Sequence, residues 1–177
     1  MRPTQCLAWL LLAILGLFSV VVYGDLPTAM SHSLSLSGQG SPTRATSAWA
    51  WSIVPLTAFL TLALVEWISA RLPHKPELFN FSGKDDLLKL PREYHPPIIA
   101  RMQRFLDIVN ITTMLILLGA QIVIWQKALG AKSEAATVAL IVGPSLLMPI
   151  MFLLLQGVNN EVDAAKRQWE SRRNPRC

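Results

Sequence analysis

The chain has 177 residues, 52% hydrophobic and 15% charged, with a formal net charge of +5 and a mean hydropathy of +0.40. Soluble globular domains carry about 25% charged residues, and disordered chains combine low hydrophobicity with high net charge, so the composition fits neither class. The apolar residues are gathered into blocks, the pattern of a helical membrane protein.

A bilayer core of about 30 Å takes roughly 20 helical residues, about 17 at the least. Residues 7–23, LAWLLLAILGLFSVVVY, meet this with no charge. No polar face recurs in them at helical period, as a surface helix of a soluble domain requires. Arg2 and the small residues Val22 and Gly24 also suit a signal peptide. Signal cores run to about 7–15 residues, however, and Tyr23 is placed as an interfacial anchor, so a retained first span is expected. Residues 24–48 are rich in Ser, Thr, Gly and Pro and predict a turn-rich hairpin connection. His32 has only Asp25 as an acidic companion there; a metal site needs three or four convergent ligands, so a solvent-exposed histidine is expected.

The second predicted span, residues 49–68, carries Glu66 close to its end, within reach of the interface or of Arg71. Pro55 inside it predicts a kink. Residues 69–107 form the longest polar stretch. Within it Asn80-Phe81-Ser82-Gly83 reads as a turn, with Ser82 as the expected cap of a short helix through Leu88. Tyr94-His95-Pro96-Pro97 ends that helix, and apolar residues at 98, 99, 102, 105 and 106 then follow the spacing of an amphipathic helix. That stripe predicts an interfacial helix on the cytoplasmic leaflet running into the third span; docking to a partner is the alternative. His74, Glu77, Asp85, Asp86, Glu93 and His95 read as a solvated loop of mixed charge. The sequence contains no HExxH, Gly-x-Ser-x-Gly or Walker-type motif. No catalytic residue, cofactor or metal is expected.

The third span, residues 108–126, holds Asn110, Thr112, Thr113 and Gln121, which are suited to hydrogen bonds with a neighbouring helix worth about 1 kcal/mol or less. The fourth, residues 135–158, includes Gly143-Pro144 and Pro149, which free backbone carbonyls. In a transporter such a break lines a substrate path. With no charge beside it, packing or flexibility is expected instead. Gln156, Asn159, Asn160 and Glu161 close the span in a polar cluster, and the tail to residue 177 is basic with one tryptophan. A basic segment beside a span anchors to lipid headgroups, and nucleic acid is not an expected partner.

Lys and Arg fix the orientation. With four spans, thirteen of the sixteen fall at the amino terminus, in residues 69–107 and in the tail, against three in the other two loops. The positive-inside rule then places both termini in the cytoplasm. Cys6 and Cys177 lie on that reducing side without a second metal ligand nearby.

The loop after the first span carries Tyr23, Leu26-Pro27, Met30 and Gly38. This arrangement resembles a bacterial membrane domain of unknown function that also occurs in immunity proteins against the sporulation-delaying toxin. Its hallmark is Leu-Pro, then Ile/Val-Pro, x, His-Phe-Asn and a later Gly. Here Ser31 replaces the second proline, Ser33 the histidine and Leu34-Ser35 the Phe-Asn, with His32 one place from the expected histidine. Pro76-Glu77-Leu78-Phe79-Asn80 is similar to a further piece of such proteins. The resemblance implies a multi-span protein, with immunity or signalling roles among its relatives. The expectation is an all-α, single-domain protein of the bacterial inner membrane with four transmembrane helices, and not an enzyme. Its partners are the bilayer and another membrane protein or a peptide; a small transporter component or accessory subunit is the alternative.

Overall fold

The computed structural model describes residues 2–23, 44–128 and 134–173. These residues form helices α1 (Pro3–Tyr23), α2 (Arg44–Arg71), α3 (Lys84–Lys89), α4 (His95–Ala128) and α5 (Glu134–Arg173), with 3-10 turns at Pro76–Leu78 and Arg92–Tyr94. There is no strand among them. Three helical stretches are long and apolar enough to cross a membrane: Pro3–Tyr23, Trp51–Arg71 and Arg92–Gln126. They contain the first and third expected spans and all but the first two residues of the second. The fourth expected span lies inside α5, which stays helical through Gly143-Pro144 and Pro149, so the anticipated break does not interrupt the backbone helix.

The chain divides into two compact units, one of residues 1–62 and 110–146, the other of 63–109 and 147–177. In the first, α1 buries Ala8, Leu15, Ser19 and Val22, a seam one or two turns apart on one helix face. Leu15, Ala8, Ala58, Leu62 and Met114 form its central cluster, with Leu11, Leu12, Ile111, Leu117 and Leu118 packed around them. The outward face of α1 is equally apolar: Leu10, Leu17, Val20 and Val21 are 56–74% exposed. Water would not tolerate a patch of that extent on a monomer, whereas hydrocarbon matches it.

The second unit is organised differently. Its core joins Leu72, Phe79, Phe81, Leu87, Leu90 and Tyr94 to one face of α4 (Ile98, Ile99, Met102, Leu106) and one face of α5 (Val158, Val162, Ala165). Residues 98–105 run without a break into the third expected span as part of α4, as expected. The stripe of the expected interfacial helix, however, is covered by protein and not by a leaflet surface, with Ile98 and Met102 fully buried. The Phe79 ring lies 5.7 Å from those of both Phe81 and Phe105. Pro96 and Pro97 sit in the first turn of α4, where their missing N–H groups cost no helical bond.

The cap of α3 also differs from expectation. Gly83 occupies the N-cap position and no side chain caps the helix. Its N–H instead donates to Asn159 Oδ1 at 3.2 Å. A Cβ at position 83 would stand 2.9 Å from Phe81 Cε2 and 3.2 Å from Asn159 Oδ1, so the packing of the Phe81 ring and of Asn159 around this position favours glycine over a serine-capped start.

Because Leu87 is fully buried and its neighbour Leu88 is 46% exposed, truncating the two separates a packed α3 from a loose one. Leu87→Ala is expected to cost about 2–5 kcal/mol and Leu88→Ala under about 0.5 kcal/mol, read as thermal unfolding in detergent; equal, small losses would contradict the packing.

Candidate functional site

The first unit holds a buried polar knot tying α1, α2 and α4 together. Ser19, the one serine or threonine in the apolar run of α1, is 6% exposed and donates Oγ–H to the Leu15 carbonyl at 2.8 Å. Its own carbonyl accepts the Trp51 indole N–H at 2.8 Å. Gln121, fully buried, donates Nε2–H to Ser19 Oγ at 3.3 Å and to the Trp51 carbonyl at 3.4 Å. The second bond has a cause in the sequence. Pro55, inside α2, has no N–H to offer the carbonyl four residues earlier, which is that of Trp51. Gln121 supplies the donor that proline withholds, as neighbouring helices do for prolines in apolar surroundings.

That carbonyl is an acceptor only, so the carboxamide nitrogen must face it. Gln121 Oε1 then points elsewhere and, like Trp125 Nε1 one turn on and Asn110 Oδ1, it is buried with no hydrogen-bond partner among the described residues. Aromatic packing closes the knot. Phe18 lies 5.8 Å from Trp125, edge to face, and 6.3 Å from Trp51. Tyr23 packs half-buried against the same cluster. Beside it an open groove of about 410 Å³ is lined by Gly16, Ser19, Val20, Tyr23, Trp51, Ser52 and Pro55. The side chains that make these hydrogen bonds, Ser19, Trp51 and Gln121, do not titrate in the ordinary pH range, so the chemistry of the knot is hydrogen bonding and packing.

The polar groups of the second unit are arranged around its apolar core. Asn159 receives the Gly83 N–H, Asn160 is exposed, and Glu161 pairs with Arg101 at 3.1 Å. Arg101 also donates to the Gly157 carbonyl at 3.0 Å, and Lys166 pairs with Asp86 at 3.2 Å. Glu66 is half-buried; the Arg71 guanidinium lies over the Trp67 ring, 4.3 Å from its centroid. A cleft of about 910 Å³ gathers His74, Glu77, Arg92, His95 and Gln103. There His95 Nε2 donates to the Leu90 carbonyl at 3.0 Å and Gln103 to that of Ser69 at 2.9 Å. Among the described residues no group of three or more His, Cys, Asp or Glu is close enough to hold a metal ion.

Of the residues singled out in the sequence, Gln121 and Tyr23 join in the knot. Asn110 is buried separately, and Asn159 ties α5 to the start of α3. Leu26, Pro27, His32 and Gly38 lie outside the described residues. Sequence reasoning passed over Ser19, Trp51 and Trp125. The available signals were a lone serine in an apolar run and a tryptophan four residues before a proline. Compared with known proteins, the chain matches no protein-family model, no curated protein and no solved structure.

Ser19→Ala removes one acceptor of Gln121 and leaves the other, so a loss of about 0.5–1.5 kcal/mol is expected. Gln121→Glu, nearly isosteric, places a carboxylate in the same apolar surroundings and is expected to cost about 3 kcal/mol. Thermal unfolding of both variants in detergent checks the order; an equal or smaller loss for the glutamate would contradict burial of this position.

Proposed function

We propose that the chain is a four-span protein of the inner membrane, not an enzyme, with both termini and residues 69–107 in the cytoplasm. The observation that carries the orientation is charge: twelve of the sixteen Lys and Arg belong to the second unit. The apolar outward face of α1 and the three helical stretches of spanning length support the membrane placement. Residues 135–158 of α5, uncharged, supply the fourth span. A knot whose hydrogen bonds are made by Ser19, Trp51 and Gln121 supports a role in binding or assembly over catalysis.

Within that placement we assign a role in peptide-toxin immunity or envelope signalling, which rests on the Leu26-Pro27 to Gly38 resemblance. The partner is then a peptide or another membrane protein meeting the face on which residues 24–48 lie.

Two measurements on intact cells test the reading. In a chain with Cys6 and Cys177 replaced by serine, Gly40→Cys is expected to react with an impermeant maleimide, and Asp85→Cys only after permeabilisation. Labelling of position 85 from outside would overturn the orientation. Expression is expected to raise the survival of a sensitive host challenged with a membrane-active peptide toxin, or its deletion to change an envelope-stress reporter; no response in either assay would overturn the role.

A further inference from the structure

We propose that a groove between α4 and α5 in the second unit binds the headgroup of an anionic phospholipid from the cytoplasmic leaflet. The groove encloses about 260 Å³ and runs from Arg101 and Arg104 to Ile108, Leu153 and Leu154. Its two cations differ in commitment. Arg101 is engaged with Glu161 and the Gly157 carbonyl. Arg104, one turn further along α4, is exposed and has no hydrogen bond or ion pair among the described residues. Asp107, the next acid on α4, is 2% exposed and has a partner of its own. The groove therefore keeps one uncompensated positive charge.

The rest of the lining explains why a lipid fits better than a free anion. Residues 101–107 of α4 are polar at Arg101, Gln103, Arg104 and Asp107, and from Ile108 the helix enters its apolar run. Arg104 stands at that change of polarity, the headgroup level of a spanning helix. Towards the apolar end, Phe152 and Leu153 are 60% and 64% exposed, an oily surface continuous with the groove. A phosphodiester against the Arg104 guanidinium, with its acyl chain along Ile108 and Leu153, satisfies both ends. Inorganic phosphate would engage only one.

The proposal rests on the membrane placement argued above. Its test uses the purified full chain in neutral detergent, so its failure and that of the orientation are read separately. Phosphatidylglycerol added in mixed micelles is expected to raise the unfolding temperature and to persist as an adduct in native mass spectrometry. Phosphatidylcholine of the same chain length and inorganic phosphate are expected to do neither. Arg104→Gln is expected to weaken the phosphatidylglycerol effect about fivefold without changing the unfolding temperature in lipid-free detergent, and Arg104→Lys to retain most of it. An equal response in Arg104→Gln, an equal effect of phosphatidylcholine, or reproduction by inorganic phosphate alone would overturn the lipid site.

Discussion

A backbone carbonyl without an N–H is the constraint around which the first unit is arranged. Pro55 removes the helical donor for Trp51, and hydrocarbon offers no water to replace it. The donor comes from Gln121 of another helix, which also reaches Ser19, while the Trp51 indole closes the triangle on the Ser19 carbonyl. Each bond is worth little by itself, on the order of 0.6 kcal/mol in a membrane interior. Together they permit one register of α1, α2 and α4, because sliding any helix by a residue leaves a polar group without its counterpart.

The second unit depends on a different balance. Its ion pairs, Arg101 with Glu161 and Lys166 with Asp86, are about one-third to one-half exposed, so each contributes at most about 1 kcal/mol and less in salt. Fully burying a side chain such as Ile98, Leu72 or Leu87 contributes about 1.5–3 kcal/mol. Apolar burial therefore dominates, and the pairs place charge around it. This is why residues 69–107, read as polar loop, hold a folded core. Phe79, Phe81, Leu87 and Tyr94 are scattered among prolines and charges, yet all pack on the stripes of α4 and α5.

Three helices of spanning length were legible because crossing a bilayer requires an apolar run of fixed length, and 7–23, 49–68 and 108–126 fall within α1, α2 and α4. The stripe at 98, 99, 102 and 106 was legible as an apolar face, but not for what covers it. Periodicity reports that a face is buried and is silent on whether lipid or protein buries it. Gly83 was missed as a cap because the space around it is taken by the Phe81 ring and by Asn159, 76 positions away, which also accepts its N–H. Gln121 was visible as a polar residue in a span. Its acceptor was not, since a backbone carbonyl freed by proline leaves no trace in hydrophobicity.

The central claim is that Gln121 serves the carbonyl that Pro55 leaves open, and a double-mutant cycle tests it most directly. Stability in detergent is measured for Gln121→Leu, Pro55→Ala and the pair. Pro55→Ala restores a helical N–H to Trp51, so the loss caused by Gln121→Leu is expected to shrink by about 0.5–1 kcal/mol in that background. Additive losses, within about 0.3 kcal/mol, would contradict the account.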